Sequence, residues 1–334
     1  MILQTIKQIS CLLCLCCFLQ QSAFSQDDKD KPAYTLFDNT GKQISYGELI
    51  KRLSGYDVIF LGELHNCPIT HWLEFEITRS IYNIHKDQLM LGAEMFESDN
   101  QLIFDEYMQQ KISYDRFEAE ARLWDNYRTD YYPVVFFAKE HHIPFIATNI
   151  PRRYANIVKN KGFGALDSLS EEAKRYIAPL PIDFEYDEAQ SAAAFSMMNM
   201  MGGRRAGNSR KWAQTKAIKD ATMGWFIARN IKNKFLHING SYHSNRQGGI
   251  IPYLLRYRPN TSIVTVTSVR QESIRKLDDD HKGLADFYIC VPEDMVNSYY
   301  RSLRPPRIKY LPLLRHQYRF LKSLYRYRRR GSSL

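Results

Sequence analysis

The stretch VIFLGELHNCPITH, from Val58 to His71, decides the fold of this chain. Its first four residues form a continuous apolar run, which predicts a buried strand over residues 58–61. Gly62 then predicts a turn, and Glu63 and His65 follow it directly. A carboxylate and an imidazole just past the carboxyl end of an apolar strand are typical of the active-site edge of an open α/β sheet. The stretch therefore predicts both a parallel sheet and a site at its edge.

The same pattern recurs far downstream, in FLHINGSYH, which contains Gly240 and ends at His243. Two further apolar runs also end in polar groups. QLMLGAEM predicts a strand over 88–95 that closes on Glu94, and IPFIAT predicts one over 143–148 that is followed by Asn149 and Arg152. Because parallel strands present their carboxyl ends at one edge of a sheet, we expect these polar groups to converge on one cleft.

The rest of the chain alternates strand and helix patterns. Helical spacing with a capping Ser45 predicts a helix to Leu53, and Pro68 predicts the start of the next helix. Further helices are expected over 102–108, 114–121, 133–141, 170–178, 187–201, 212–230 and 249–257, and another is expected to begin at Pro151. Further strands are expected over 262–268 and 286–291. This order predicts an α/β protein with a mainly parallel β-sheet flanked by helices and carrying helical insertions.

The N-terminus has the pattern of a secretory signal peptide. Lys7 precedes an apolar run of about ten residues, too short to span a membrane, and Ala23 and Ser25 suit a cleavage site after residue 25. Export to the periplasm or cell envelope is the expectation. Cleavage would remove four of the six cysteines and leave Cys67 and Cys290, which could pair or, as we favour, remain two buried thiols.

Charge is unevenly distributed along the chain. The net charge is +10, but eleven Lys and Arg and no acidic residue follow residue 294, so residues 1–294 carry −1 (10 − 11). A near-neutral body argues against nucleic-acid binding. The basic tail over 293–334 includes a helical apolar spacing at Leu314, Tyr318, Leu321 and Tyr325. This pattern predicts either an amphipathic helix on an anionic membrane surface or a helix docked on the body.

The predicted cleft is compatible with three chemistries. Glu63, His65, Glu94 and His243 could bind a divalent transition metal, or could act without metal as the general acids and bases of a hydrolase. The third option is haem, which needs an axial His or Tyr and cations for its propionates. The candidate cations for the propionates are Arg152, Arg153 and the arginines at 204 and 205. His71 and Glu74 share one helix face, where a site role and a structural role are both open.

Five separated blocks resemble the ChaN-like haem-binding uptake family, within the Tiki superfamily that also contains erythromycin esterase-like enzymes. They are LGELHNCPITH (61–71), AEMF (93–96), NIPR (149–152), KDATM (219–223) and GSYH (240–243), and together they span most of residues 56–292. Thr70 stands where a second adjacent His is common in the family. The matching order of the blocks makes the resemblance fairly specific.

The resemblance implies an exported protein that binds haem in iron acquisition, with two haems stacked at a homodimer interface. It also implies a tyrosine ligand, for which Tyr154 and Tyr242 are the candidates by their nearness to the motifs. The expected cofactor-binding set is therefore His65, His71, Asn149, Arg152, Tyr154, Tyr242 and His243. A hydrolase that uses the Glu/His cluster, metal-dependent peptidase or metal-free esterase, is the alternative, and an envelope interaction protein with a vestigial cleft is a third hypothesis. The implied domain is 56–292, preceded by a lead-in over 26–55.

Overall fold

The computed structural model of the chain describes residues 31–185 and 209–298, and these residues lie in one compact unit. Several predictions fall outside the described residues. They are the signal peptide over 1–25, the helix over 187–201, the arginines at 204 and 205, and the basic tail from residue 299 onward. Within the described part of the chain, no helix is both long enough and apolar enough to cross a bilayer.

Seven strands form one sheet, and nine α-helices surround it in the described residues. The strands are β1 (Thr35–Asp38), β2 (Val58–Glu63), β3 (Leu89–Glu97), β4 (Phe145–Asn149), β5 (Lys234–Gly240), β6 (Ile263–Gln271) and β7 (Phe287–Pro292). The helices are α1 (Tyr46–Leu53), α2 (Pro68–His85), α3 (Gln101–Met108), α4 (Tyr114–Glu120), α5 (Tyr132–Glu140), α6 (Arg152–Lys161), α7 (Glu171–Lys174), α8 (Ser209–Asn230) and α9 (Ile250–Tyr257). A π-helical turn, Tyr127–Tyr131, precedes α5.

The sheet has the strand order β1-β7-β6-β2-β5-β3-β4. Every neighbouring pair is parallel except β1 with β7, so the predicted fold class is confirmed. Strand β2 lies between β6 and β5, although β5 follows it only after more than half of the chain. In the register of β2 with β5, Glu63 lies opposite Gly240. The two Gly-x-x-His segments therefore leave the sheet side by side, offset by one residue.

The first four residues of the central strand β2 are apolar because helices cover both faces of the sheet. Ile59 and Leu61 belong to one hydrophobic cluster, whereas Val58 and Phe60 belong to another on the opposite face. Each of these side chains is at most 2% exposed. Burial of an aliphatic or aromatic side chain of this size contributes about 1.5–3 kcal/mol. The continuous apolar run is therefore the local signature of a strand buried on both sides.

Several predicted boundaries are wrong, and three of them bear on the site or on a helix cap. Strand β2 continues through Gly62 to Glu63, and Gly62 is needed for close packing, since a Cβ there would lie 3.0 Å from Ser241 Cα. Strand β3 continues past Glu94 to Glu97, although its pairing with β5 ends at Ala93. The helix predicted over 170–178 is the single turn α7, capped by the Ser170 hydroxyl.

Most helix starts agree with their capping signals. The Ser45 hydroxyl accepts a hydrogen bond from the Glu48 amide at the start of α1, and Pro68 occupies the first turn of α2, where a missing N–H costs nothing. Cys67 and Cys290 are both buried and free. The expectation of two buried thiols is confirmed, and the alternative disulfide does not form.

Candidate functional site

Glu63 ends β2 and lies at the floor of the predicted cleft. Its side chain is fully buried. Side chains alternate between the two faces of a strand, and that of Glu63 points toward the π-helical turn. The Tyr131 hydroxyl donates to Glu63 Oε1 over 2.8 Å, and the same oxygen forms a short contact with His65 Nδ1. Burial together with the Glu63 charge raises the pKa of Tyr131 far above its usual range, so its hydroxyl keeps its proton.

His65 lies above Glu63 and reaches the surface, with 41% of its side chain exposed. The ring packs edge-on against Trp124, with 5.0 Å between the centroids. Gly240 lies directly beneath it, and a Cβ at that position would come within 2.7 Å of His65 Nε2. Burial lowers the pKa of His65, but the hydrogen bond to Glu63 and the Glu63 charge outweigh it and raise the pKa overall. His65 is thus an accessible imidazole held in one orientation by a buried carboxylate.

Glu94 and His243 form the second half of the site. Glu94 accepts a hydrogen bond from the Gly240 amide over 2.9 Å, and its other oxygen lies 3.3 Å from His243 Nε2. On the far side of the ring, His243 Nδ1 donates to Asp220 Oδ1 over 2.5 Å. Asp220 also accepts a hydrogen bond from Lys216 Nζ over 2.6 Å. The four side chains form one continuous line of alternating charges.

This line fixes the protonation of its members. Burial disfavours the charged forms, but the charges of Glu94 and Asp220 raise the pKa of His243 to about 9. Burial would likewise raise the pKa of Glu94, yet His243, His65 and Lys219 together lower it well below its usual range. At neutral pH, Glu94 is therefore an anion and His243 a cation.

The charge on His243 should make stability depend on pH. Its pKa is about 9 in the folded protein and about 6.5 in an unfolded chain. A pKa raised by folding stabilises the protein fully below about pH 6.5 and loses that contribution as the pH rises through about 9. We therefore expect the difference in unfolding free energy between wild type and His243→Gln to be about 3 kcal/mol larger near pH 6 than near pH 10. Urea denaturation of both proteins across this pH range measures the difference. The contributions of other groups that titrate in both proteins cancel in it. A difference that does not change with pH would contradict the expectation.

His71 lies in a separate, deeper cluster. Its side chain projects from α2 and is only 4% exposed. Nδ1 lies 3.1 Å from Glu74 Oε2 and 3.4 Å from Glu63 Oε2, and Nε2 lies 3.4 Å from Asp130 Oδ2. Burial lowers the pKa of His71, but the charges of these three carboxyl groups raise it to about 10.

The structure arranges the metal set predicted from sequence as two neighbouring pairs. Glu63 pairs with His65 and Glu94 pairs with His243, on either side of Gly240. Among residues 31–185 and 209–298, the group whose ligand atoms all lie within 4.8 Å of one another is Glu63, His71 and Glu74.

The remaining predicted residues occupy different environments. Asn149 is buried and donates to the Glu94 carbonyl over 2.8 Å, which ties β4 to β3. Arg152 is exposed and pairs with Glu97 at 3.2 Å. Tyr154 is only 8% exposed and lies under the guanidinium of Arg153, 4.4 Å from the ring centroid.

Tyr242, by contrast, is 49% exposed and lies between Gly240 and His243. Its ring is 6.1 Å from that of Trp212, and Lys216 Nζ lies 4.7 Å from the ring centroid. Burial of part of the ring raises the pKa of Tyr242. The edge of the sheet therefore presents one accessible imidazole, that of His65 against Gly240, and one accessible phenol, that of Tyr242 two residues after Gly240.

Sequence reasoning missed several residues of the site. Asp220 stands in the KDATM block and four residues after Lys216, a spacing that places both on one helix face, but neither was assigned a role. Asp130 and Tyr131 gave no signal, because they approach Glu63 and His71 only through the π-helical turn.

Comparisons with known proteins agree with this architecture. A model of the family described as haem-binding uptake, Tiki superfamily, ChaN, matches residues 49–254. Among solved structures, the chain is similar to ChaN of Campylobacter jejuni, whose structure describes cofacial heme binding, with a TM-score of 0.59, 19% identity, and coverage of 78% of this chain and 97% of that one. It also matches the erythromycin esterase EreC in its open conformation, with a TM-score of 0.46, 11% identity, and coverage of 80% and 100%. No curated protein matches this sequence. At these identities the structural likeness to ChaN shows a shared fold.

Proposed function

This chain belongs to the haem-binding uptake family of the Tiki superfamily, the ChaN family, as its motifs predicted, and from that premise we propose that it binds haem at the carboxyl edge of its sheet. The observation that carries the proposal is a pair of accessible iron donors at one sheet edge, His65 against Gly240 and Tyr242 two residues after it. Imidazole and phenol are both axial ligands of haem iron in proteins.

The surroundings of the two donors fit the same ligand. Trp124 next to His65 and Trp212 next to Tyr242 offer flat apolar surfaces to a macrocycle. Lys216 lies over Tyr242, and Arg152 is exposed at the start of α6, directly after the edge strand β4. Cations of this kind pair with propionate groups. Bound haem would supply redox-active iron, whereas the protein residues supply its donors and its orientation.

Two of the predicted haem ligands are less accessible. Tyr154 is buried under Arg153, and His71 is buried among carboxyl groups. We therefore assign the ligand role in this proposal to Tyr242 and His65, and give Asn149 the role of supporting the strand that carries Glu94.

Haemin titration of the purified protein tests this assignment. We expect a saturable shift of the Soret band in wild type. The affinity for haemin should fall at least roughly tenfold in Tyr242→Phe and in His65→Ala, because even the loss of a side chain that only supports a metal ligand costs that much. Tyr154→Phe is the matched control, since it removes the same hydroxyl from a buried position, and should bind haem like wild type. Equal losses in both tyrosine variants, or no saturable shift in wild type, would overturn the assignment.

A hydrolase is the second candidate, and one observation favours it. His243 is held by Asp220 on one side and faces Glu94 on the other, which is the arrangement of an oriented general acid or base. An assay of the same purified protein with ester and peptide substrates separates the two candidates. Turnover that is lost in Glu94→Gln would support a hydrolase, and its absence would leave haem binding as the function.

Export, iron acquisition and self-association extend the main proposal. The signal-peptide pattern over 1–25 supports export to the periplasm or envelope, and the family description supports a role in haem uptake. Cofacial heme binding in the Campylobacter jejuni protein supports a homodimer with two stacked haems. Fractionation of cells and light scattering with and without haemin test these points. Deletion of residues 302–334 tests whether the basic tail binds anionic vesicles.

A further inference from the structure

The deeper cluster below the haem-binding edge has properties of its own. Glu63, His71, Glu74 and Asp130 come from β2, α2 and the π-helical turn, and each is 5% exposed or less. Four ionisable side chains are rarely buried together unless a cation or a set of donors compensates them. The hydrogen bonds of the described residues compensate this group only in part.

Two carboxylate oxygens of the cluster are buried without a hydrogen-bond donor. They are Glu63 Oε2 and Glu74 Oε1. The other oxygen of Glu63 is already satisfied by Tyr131 and His65, so the orphaned oxygen is the one that faces His71. Buried polar atoms without a partner are uncommon, and a bound ion is one explanation for a pair of them on adjacent carboxyl groups.

The orientation of His71 adds an independent argument. Its Nε2 lies 3.3 Å from the carbonyl oxygen of His65 and 3.4 Å from Asp130 Oδ2, so this nitrogen carries the donated proton. Asp130 is in turn fixed by donors from Asn126, at 2.6 Å, and Ser298, at 2.7 Å. A metal-binding histidine usually donates the N–H of its other ring nitrogen to a carboxylate or a carbonyl oxygen. Asp130 and the His65 carbonyl oxygen lie at that position here, and Nδ1 of His71 faces Glu63 and Glu74.

The spacing of the inward atoms matches a bound ion. His71 Nδ1 lies 3.1 Å from Glu74 Oε2 and 3.4 Å from Glu63 Oε2. Metal–ligand bonds of about 2.0–2.2 Å set neighbouring ligands roughly 3.0–3.5 Å apart in tetrahedral or octahedral coordination. The three atoms can therefore reach one ion with little movement.

The charge of the cluster points the same way. Three carboxyl groups and one imidazole are buried together here, and the imidazole is the one member of the cluster that can carry a positive charge. A divalent cation would offset the charges of Glu63 and Glu74 together. We propose that Glu63, His71 and Glu74 bind one divalent first-row transition metal ion, with Asp130 orienting His71. One nitrogen and two carboxylates suit ions such as Zn²⁺, Mn²⁺ or Co²⁺.

This site is distinct from the haem donors and does not depend on haem binding. His65 and Tyr242 are at the surface, whereas the ion would lie beneath Glu63 and be shielded from solvent. The two sites share Glu63, whose second oxygen contacts His65. Occupancy of the deeper site would thus fix the carboxylate that orients His65.

Metal loading of haem-free protein tests the proposal. Protein stripped with chelator is incubated with Zn²⁺ or Mn²⁺, passed over a desalting column and assayed for metal. We expect close to one ion per chain in wild type, a higher thermal midpoint with metal than without, and weak visible absorption bands when Co²⁺ is the probe. Glu74→Gln should lose the ion, since the substitution keeps the shape and removes the charge.

Two controls separate this site from its surroundings. Glu76→Gln changes a carboxylate on the same helix that pairs with Arg79 and should retain the ion. Glu94→Gln changes the neighbouring pair with His243 and should also retain it. If Glu74→Gln fails to fold, Glu63→Gln and the Co²⁺ spectrum of wild type provide the same test. The proposal is overturned if stripped wild type takes up no ion, if Glu74→Gln binds the ion as tightly as wild type, or if metal leaves the thermal midpoint unchanged. The absence of an ion would indicate that Glu63 and Glu74 share a proton instead.

Discussion

Replacing Asp220 by alanine should lower the free energy of unfolding by about 3–5 kcal/mol, the usual cost of removing one partner from a buried ion pair. The Asp220 carboxylate is 2% exposed and accepts hydrogen bonds from both His243 and Lys216. Its loss would leave two donors without an acceptor inside the protein. It would also remove one of the two charges that hold the proton on His243.

Two further variants sharpen this prediction, with urea denaturation at neutral pH as the measurement. Asp220→Asn keeps an oxygen for His243 but removes the charge, and should lie between wild type and Asp220→Ala. Arg175→Ala breaks an ion pair with Glu172 at 3.0 Å in which both side chains are more than half exposed, and should change stability little, because solvent screens such pairs. If Asp220→Ala cost no more than Arg175→Ala, the line from Lys216 to Glu94 would not be a stabilising unit.

Replacing Gly249 by alanine should destabilise the protein as severely and also displace His243. The backbone of Gly249 has φ +60° and ψ −111°, a conformation that L-residues rarely adopt and that costs them about 1–3 kcal/mol. In addition, a Cβ at this position would overlap the carbonyl group of His243. Since the obstacle is backbone and not a flexible side chain, the loop before α9 would have to move.

Gly283→Ala is a matched control for that substitution. Gly283 has φ +76°, and a Cβ there would meet nothing within 4 Å, so this variant carries the backbone strain without the overlap. We expect Gly249→Ala to be clearly less stable than Gly283→Ala in urea denaturation, and to bind haemin more weakly. Equal stabilities would mean that the overlap with His243 is relieved without cost.

The local elements were predictable because their signals are local. The apolar run at 58–61 predicts a doubly buried strand, and Ser45 and Pro68 predict helix starts by the donors they satisfy or lack. The acidic and imidazole groups at strand ends were predictable for the same reason. The error at Gly62 arose because a glycine that permits close strand packing looks, in sequence, like a glycine that permits a turn.

The functional environment of each group was not predictable in the same way. His65 and His71 lie six residues apart in one motif, yet one is at the surface and the other is buried. What separates them is the π-helical turn that carries Asp130 and Tyr131 over Glu63. This turn shows no periodicity or spacing that relates it to the strand ends.

By itself, the sequence VIFLGELHNCPITH determined a strand, a helix and an acid–imidazole pair at the boundary between them. Only the tertiary structure decided that β5 would pair with β2 and place Gly240 opposite Glu63. It also decided that Glu63 would divide its two oxygens between an exposed His65 and a buried His71. The physical reason is that hydrophobic periodicity records which face of an element is buried, whereas strand order and the convergence of side chains depend on contacts between segments far apart in the chain.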